Sequence, residues 1–341
     1  MHKELHIAMA LLVGAALCCS CSKESVMAYP QAQVIQFTPA LSQSTQTSPT
    51  SRAASITTAT LSNFGVLASH SASAYNASAD SPSYTYNYKA VKNGASWQCE
   101  QMQYWPPTGM LSFFAYAPYN PVGLTISPSD RAGLPTYTYH VTQAVASQVD
   151  LLASAPVYDK TKGAPVALTF SHLLSGLRFA AKKEAGVTTS MTVKGISLTG
   201  LNNQALCTYN STSSTYQWSG HTTTTPADND YNVTVSDGTL AEKVLTETAQ
   251  DLYLEGGLMM VLPQTLANGV TLLVRVDYKT NNVVQEQVYQ VQLNTTTLQA
   301  LDPSNIYTVT ISLSSKILVS QGITFSITPW NDYNITVPPF V

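Results

Sequence analysis

The chain has 341 residues, 16 of them basic and 19 acidic, for a formal charge of −3. So small a charge excludes recognition of nucleic acid or another polyanion through long-range fields. Only 10% of the residues are charged, against roughly a quarter in ordinary soluble domains. Ser, Thr, Asn, Gln and 19 tyrosines supply the polarity instead. Together with β-branched and aromatic residues, which fit a pleated, half-buried surface, this composition predicts an all-β extracellular protein long enough for two domains.

The first element is a leader, residues 1–21. Lys3 begins it, and Ile7–Leu17 is an apolar run too short to span a bilayer but suited to a signal-peptide core. Three of the five cysteines, Cys18, Cys19 and Cys21, then crowd into one short stretch, an arrangement unsuited to a disulfide framework. Small residues up to a Cys, followed at once by Ser-Lys-Glu, resemble a bacterial lipoprotein processing site. Cys21 is the expected lipid-bearing residue. Cys19 is the alternative, because Cys18 and Cys19 stand where Leu-Ala is usual; an ordinary cleaved signal is the plainer reading. A multiply acylated Cys21 would tether the chain firmly to a membrane.

Residues 22–52 are rich in Ser, Thr, Gln and Pro, with one patterned island, Ala32–Ala40. In it Val34, Ile35 and Phe37 form a short strand whose Ile35 and Phe37 point to one side, and Pro39 is expected to end it. A strand this short must pair elsewhere to be stable. Arg52 follows, the only cation between Lys23 and Lys89. A solvated loop residue is the plain reading of such an arginine.

Strand signals then come steadily. Residues 62–69 are a short apolar strand; Tyr84, Tyr86 and Tyr88 alternate onto one face; residues 110–118 form a fully buried strand ending at Pro118. Residues 134–142 and 148–158 complete the set. Pro, Gly and Lys concentrate in 156–165 as in a domain linker. A second set begins at Val166. Its clearest member is a hairpin in which Leu272, Val274, Val276 and Tyr278 share a face, turning at Lys279–Asn282. No segment carries a helical period, and many short strands broken by Gly, Pro and Asn predict β-sandwiches.

No catalytic constellation is present in this pattern. The six histidines are scattered, none at metal-ligand spacing with a His or Cys partner. No phosphate loop and no nucleophile elbow occurs. His172 follows a buried strand and reads as structural. Asp228 and Asp230 read as a solvated loop, with a surface calcium site as the sharper alternative. The Tyr104–Pro107 cluster reads as a packed strand start, with a sugar platform as its alternative. Cys99 and Cys207 read as small buried hydrophobes rather than a disulfide. The expectation is a protein that is not an enzyme and uses no metal or cofactor.

Several of these stretches taken in order resemble the fimbrillin (type V pilin, Mfa-like) family of cell-surface lipoproteins. They are the Cys21 site, Val34–Ala40, Thr50–Ala53 with its Arg52, Asn63–Ala68, Trp97–Pro118, Val149–Ser154, Leu168–Phe179, Asn305–Leu313 and Ile327–Trp330. The resemblance implies two tandem transthyretin-like β-sandwich domains. Carried onto this chain, it gives a signal peptide at 1–21 and a propeptide with a removable first strand at 22–52. An N-terminal sandwich at 53–160 and a C-terminal sandwich at 161–341 with a donor tail follow. It further implies export to the outer membrane, cleavage between Arg52 and Ala53 by an Arg-specific protease, and loss of the strand holding Val34, Ile35 and Phe37. Polymerisation with other pilin subunits would follow by strand exchange. The implied donor is the tail, where Tyr333, Ile335 and Val337 alternate and Phe340 and Val341 end the chain; Pro338 and Pro339 leave the length of the exchanged strand open.

The expected role is a stalk subunit of an adhesive fimbria. A tip subunit, or a monomeric lipid-anchored surface protein that binds glycans or another ligand, is the competing reading.

Overall fold

The computed structural model describes residues 32–42, 56–223, 231–236, 243–254, 257–266, 270–293, 298–314 and 323–329. Cys21, Arg52, Ala53, Tyr333, Ile335, Val337, Phe340 and Val341 lie outside these ranges, as do Asp228 and Asp230.

The first half of the chain forms β1 (Phe37–Leu41), β2 (Asn63–Ser71), β3 (Thr85–Asn93), β4 (Ser96–Cys99) and β5 (Met110–Ala117). It continues with β6 (Leu124–Ile126), β7 (Tyr137–His140), β8 (Leu152–Ser154), β9 (Val157–Lys160) and β10 (Val166–His172). The second half begins with β11 (Ser175–Lys183), β12 (Ser190–Thr199), β13 (Gln204–Asn210), β14 (Thr215–Thr222), β15 (Tyr231–Ser236), β16 (Lys243–Val244) and β17 (Gln250–Leu254). It ends with β18 (Met259–Val261), β19 (Gln264–Thr265), β20 (Thr271–Thr280), β21 (Val283–Gln292), β22 (Ala300–Leu301), β23 (Asn305–Leu313) and β24 (Ile323–Pro329). Among the described residues there is no α-helix, only a 3-10 turn at Val145–Ser147. The all-β expectation holds.

The first sheet runs β2-β3-β4-β1-β10-β8-β5-β9, and a further pairing of β2 with β5 returns the path to its start. Strands β2, β3, β4, β1, β10, β8 and β5 therefore form a closed, barrel-like ring, with β9 outside it. Inside the ring lie Ile35, Phe37, Phe64, Val66, Ala68, Trp97, Phe113, Ala115, Leu168 and Phe170. The alternate residues of β2 and β5, Leu67, Phe114 and Tyr116, pack outward against the apolar cluster of the second half. Strand β5 is thus covered on both faces, which is why its sequence reads as a continuous apolar run.

The second large sheet runs β21-β20-β12-β15-β17-β11-β23-β24. A third sheet, β14-β13-β7-β6, takes two strands from each half. Both β9 and β10, on either side of the Pro/Gly/Lys stretch 161–165, belong to the first sheet. In this pairing the change from one strand set to the next falls after His172. The described strands all lie in one compact unit that begins at Gln33.

Two local expectations are corrected. Pro39 does not end the first strand: β1 runs to Leu41, parallel to β10, with Pro39 opposite Leu168. Gln36 O accepts from Val166 N and Ser42 N donates to Phe170 O, so the even residues face β10. The missing N–H of Pro39 points to the β4 side, where pairing stops at Phe37–Trp97, and no ladder bond is lost. Nor do Tyr84, Tyr86 and Tyr88 share a face. The β2–β3 register slips between Val66 and Ala68, and Asn87 adopts a left-handed φ of 56°. This bulge turns Tyr86 toward the second-half cluster, while Tyr84 and Tyr88 pack against the ring interior.

Candidate functional site

The candidate site is the place of β1 in the ring. Strand β1 lies between β4 and β10, and these two have no other connection on the path. Its contact with β10 is extensive, in register from Phe37–Val166 to Leu41–Phe170, whereas its contact with β4 is a single pair. Just upstream the chain is held by a second partner. Val34 bridges Tyr104, Ile35 N donates to Gln103 O at 2.8 Å, and Trp105 N donates to Gln33 O at 3.0 Å.

Side chains give this segment its grip. Ile35 and Phe37 are each only 1% exposed, and the Phe37 ring meets Phe64 and Phe113 edge-on at 5.8 and 5.7 Å. Val34 is half-buried, while Thr38 and Ala40 face solvent. The expected inward pairing of Ile35 with Phe37 is present. At about 1.5–3 kcal/mol for each buried large apolar side chain, the two contribute roughly 3–6 kcal/mol to the ring. Polar ties at the ends are few: Gln33 Nε2 donates to Gly163 O at 2.7 Å, and the Ser42 and Ser171 hydroxyls lie 3.0 Å apart.

The residues that resume after 43–55 are tied down separately. Ile56 N donates to Asp150 Oδ2 at 2.8 Å, and His172 Nδ1 lies 2.9–3.0 Å from the two Asp150 oxygens. Asp150 has no exposed surface and His172 is buried. Thus β1 ends at Ser42 on the backbone of β10, and the chain re-enters at Ile56 on a buried carboxylate. His172 is structural, as its sequence context suggested. Asp150 was not singled out in the sequence, although an acid inside the apolar run Val149–Ala153 is a readable signal.

Asp150→Ala is expected to lower stability by about 1–3 kcal/mol for each buried donor deprived of its acceptor, and Asp150→Asn by less, since its amide oxygen still accepts. Thermal unfolding of the two variants checks the order. Proteolysis near Ile56 should rise only in Asp150→Ala.

The remaining candidates are placed as follows. Trp105 is buried against Phe113, with ring centroids 5.8 Å apart, while Tyr104 is 42% exposed and Pro107 is exposed; of the cluster only Trp105 belongs to the core. Cys99 and Cys207 are free and buried, and burial pushes the Cys99 thiol up to about 12. Among the described residues no group of His, Cys, Asp and Glu is arranged to hold a metal. No helix among them is long and apolar enough to cross a membrane.

Solved structures share this fold. A fimbrial protein from Bacteroides vulgatus superposes with a TM-score of 0.60 at 20% identity, over 78% of this chain and 92% of that one. A protein assigned to cell adhesion from Bacteroides ovatus gives 0.53 at 17% identity, over 89% and 99%. No curated protein matches the chain. The fimbrillin-like family model matches residues 51–330, a span that begins beside Arg52 and takes in every strand described except β1. With that match over most of its length, the chain belongs to the fimbrillin-like family.

Proposed function

We propose that the chain is a structural subunit of an adhesive cell-surface fimbria. In this reading it is exported as a lipoprotein on Cys21, cut between Arg52 and Ala53, and joined to its neighbours by exchanging β1 for a tail from the next subunit. Family membership makes the fimbrial, non-enzymatic role the coarse part of this conclusion. The family's two tandem transthyretin-like sandwich domains are part of this proposal as well; the sheet of β6, β7, β13 and β14, which takes strands from both halves, is compatible with it.

The observation that carries the reading is that β1 alone joins β4 to β10. Its removal opens the ring along a row of backbone groups and an apolar groove, which invites strand addition. The connection 43–55, which holds Arg52, leaves from Ser42 and returns to a chain pinned at Asp150. One side can depart while the other stays.

The other arginines are poorly placed for a protease. Arg178 and Arg275 lie inside β11 and β20, and Arg131 donates to Leu134 O within a tight turn.

The tail carries a matching pattern. Ile335, Val337 and Pro339 repeat the spacing of Ile35, Phe37 and Pro39. A tail laid in the same direction sets Ile335 and Val337 into the two vacated pockets. Pro339 then falls where the ladder needs no N–H, and Pro338, in the place of Thr38, forfeits one bond to β10. Strand β24, the last described strand before the tail, lies at a sheet edge and ends at Pro329. A stalk role fits a subunit that sheds its lipid and has a tail to donate.

Digestion of the full chain with an Arg-specific protease should cut first after Arg52 and yield a ladder of multimers, and Arg52→Ala should yield neither. A ladder from Arg52→Ala, or first cleavage at Arg131 or Arg275, overturns the reading.

A further inference from the structure

Strand β21 ends the second large sheet on the side away from β24, and among the described residues no strand pairs with its outer edge. Protein edges of this kind are normally blunted by shortness, proline, lysine or a bulge. Strand β21 has none of these, and its one charge is the exposed Glu286. Its sequence is Val-Val-Gln-Glu-Gln-Val-Tyr-Gln-Val-Gln, and its ladder with β20 is unbroken from Thr280–Val283 to Thr271–Gln292. Val283, Val284 and Val288 are 60%, 54% and 56% exposed.

The pairing fixes which groups are offered. Leu293 N donates to Val270 O, and bonded residues alternate along an antiparallel ladder. The odd residues of β21 therefore bond to β20, and Val284, Glu286, Val288 and Gln290 direct their N–H and C=O groups outward.

We infer that this edge is a homotypic contact, pairing antiparallel with β21 of a second copy about a two-fold axis at Val288. The chain's own tail is too short to serve. Reaching the outer side of β21 from β24 takes eight inter-strand steps, about 38 Å at ~4.8 Å each, so residues 330–341, about 40 Å when extended, leave almost nothing to pair along the edge. Charge then selects the register. Glu286 is the only charged residue of the strand and already lies opposite Asp277. An axis at Glu286 sets two carboxylates face to face, and an axis at Gln287 leaves them diagonal neighbours, both unfavourable. An axis at Val288 puts Val288 against Val288 and Glu286 against the amide of Gln290, with the carboxylates roughly 13 Å apart along the strands. The contact needs neither Arg52 cleavage nor the tail, so it would join subunits side by side rather than end to end.

The test is disulfide trapping in the full, uncleaved chain, with wild type as the control for the native cysteines. Val288→Cys brings two Cα atoms to about 5.5 Å, inside the range a disulfide spans. Gln290→Cys leaves its pair roughly 14 Å apart. Under copper–phenanthroline oxidation, Val288→Cys should form covalent dimer at least about tenfold faster than Gln290→Cys or wild type. Equal rates, or no dimer from Val288→Cys at high concentration, overturn the inference. So does a dimer that disappears when residues 334–341 are deleted, which would mean that a neighbour's tail occupies the edge. In the trapping-free protein, Val288→Lys should abolish any concentration-dependent dimer seen by sedimentation without lowering the unfolding temperature. Retention of that dimer counts against the contact.

Discussion

Phe37→Ala is expected to destabilise the uncleaved chain by about 3–5 kcal/mol and to leave the cleaved, assembled form unchanged. The first half of this expectation follows from packing. Phe37 is 1% exposed and fits edge-on between Phe64 and Phe113, on the one strand that links β4 to β10. Truncation removes transfer free energy and leaves a cavity whose aromatic walls cannot collapse. Against a typical total of about 5–15 kcal/mol, the loss is large. The second half follows from the proposed exchange, since the residue leaves with its strand. Denaturant unfolding before cleavage, and dissociation of the multimers after it, measure the two halves separately. An equal loss in both forms would show that β1 stays in place and would remove the basis for exchange.

Deletion of Asn334–Val341 should have the opposite signature. The uncleaved chain keeps its stability, because β1 still closes the ring and β24 still ends at Pro329. After Arg cleavage the ladder should vanish altogether. The four apolar residues Ile335, Val337, Phe340 and Val341, at about 1.5–3 kcal/mol each, supply roughly 6–12 kcal/mol at most, and the two that meet the vacated pockets about half of it. That is comparable to the association cost of about 4–15 kcal/mol, so main-chain pairing along β10 has to supply the surplus. A tail without its anchors has no such surplus. Loss of folding in the uncleaved, shortened chain would mean instead that the tail pairs within its own subunit, and the tip or stand-alone reading would then gain. Size-exclusion chromatography and circular dichroism before and after digestion distinguish the two outcomes.

These expectations show how far the residues speak alone. Side-chain alternation is a local property of a strand, so Ile35 with Phe37 and the face of Leu272, Val274 and Val276 were readable, as was the buried character of β5. The hairpin turn was readable for the same reason: Asn281 and Asn282 tolerate the left-handed φ values of 50° and 67° that the turn requires. Cys99 and Cys207, far apart in the sequence, were readable as buried thiols rather than a disulfide. Local pattern failed where a neighbour changed the geometry. Pro39 can sit within β1 because β4 has already ended on that side. The tyrosines of β3 part company because a bulge at Asn87 intervenes. What only the tertiary structure decided is non-local: the β2–β5 pairing that closes the ring, the return of β10 beside β1, and the burial of Asp150 against His172 and Ile56. Hydrogen bonds between strands far apart in sequence leave no periodicity in either strand, since any extended backbone offers the same N–H and C=O groups; which edge meets which is settled by closing the apolar ring, and with it the one strand whose removal would open it.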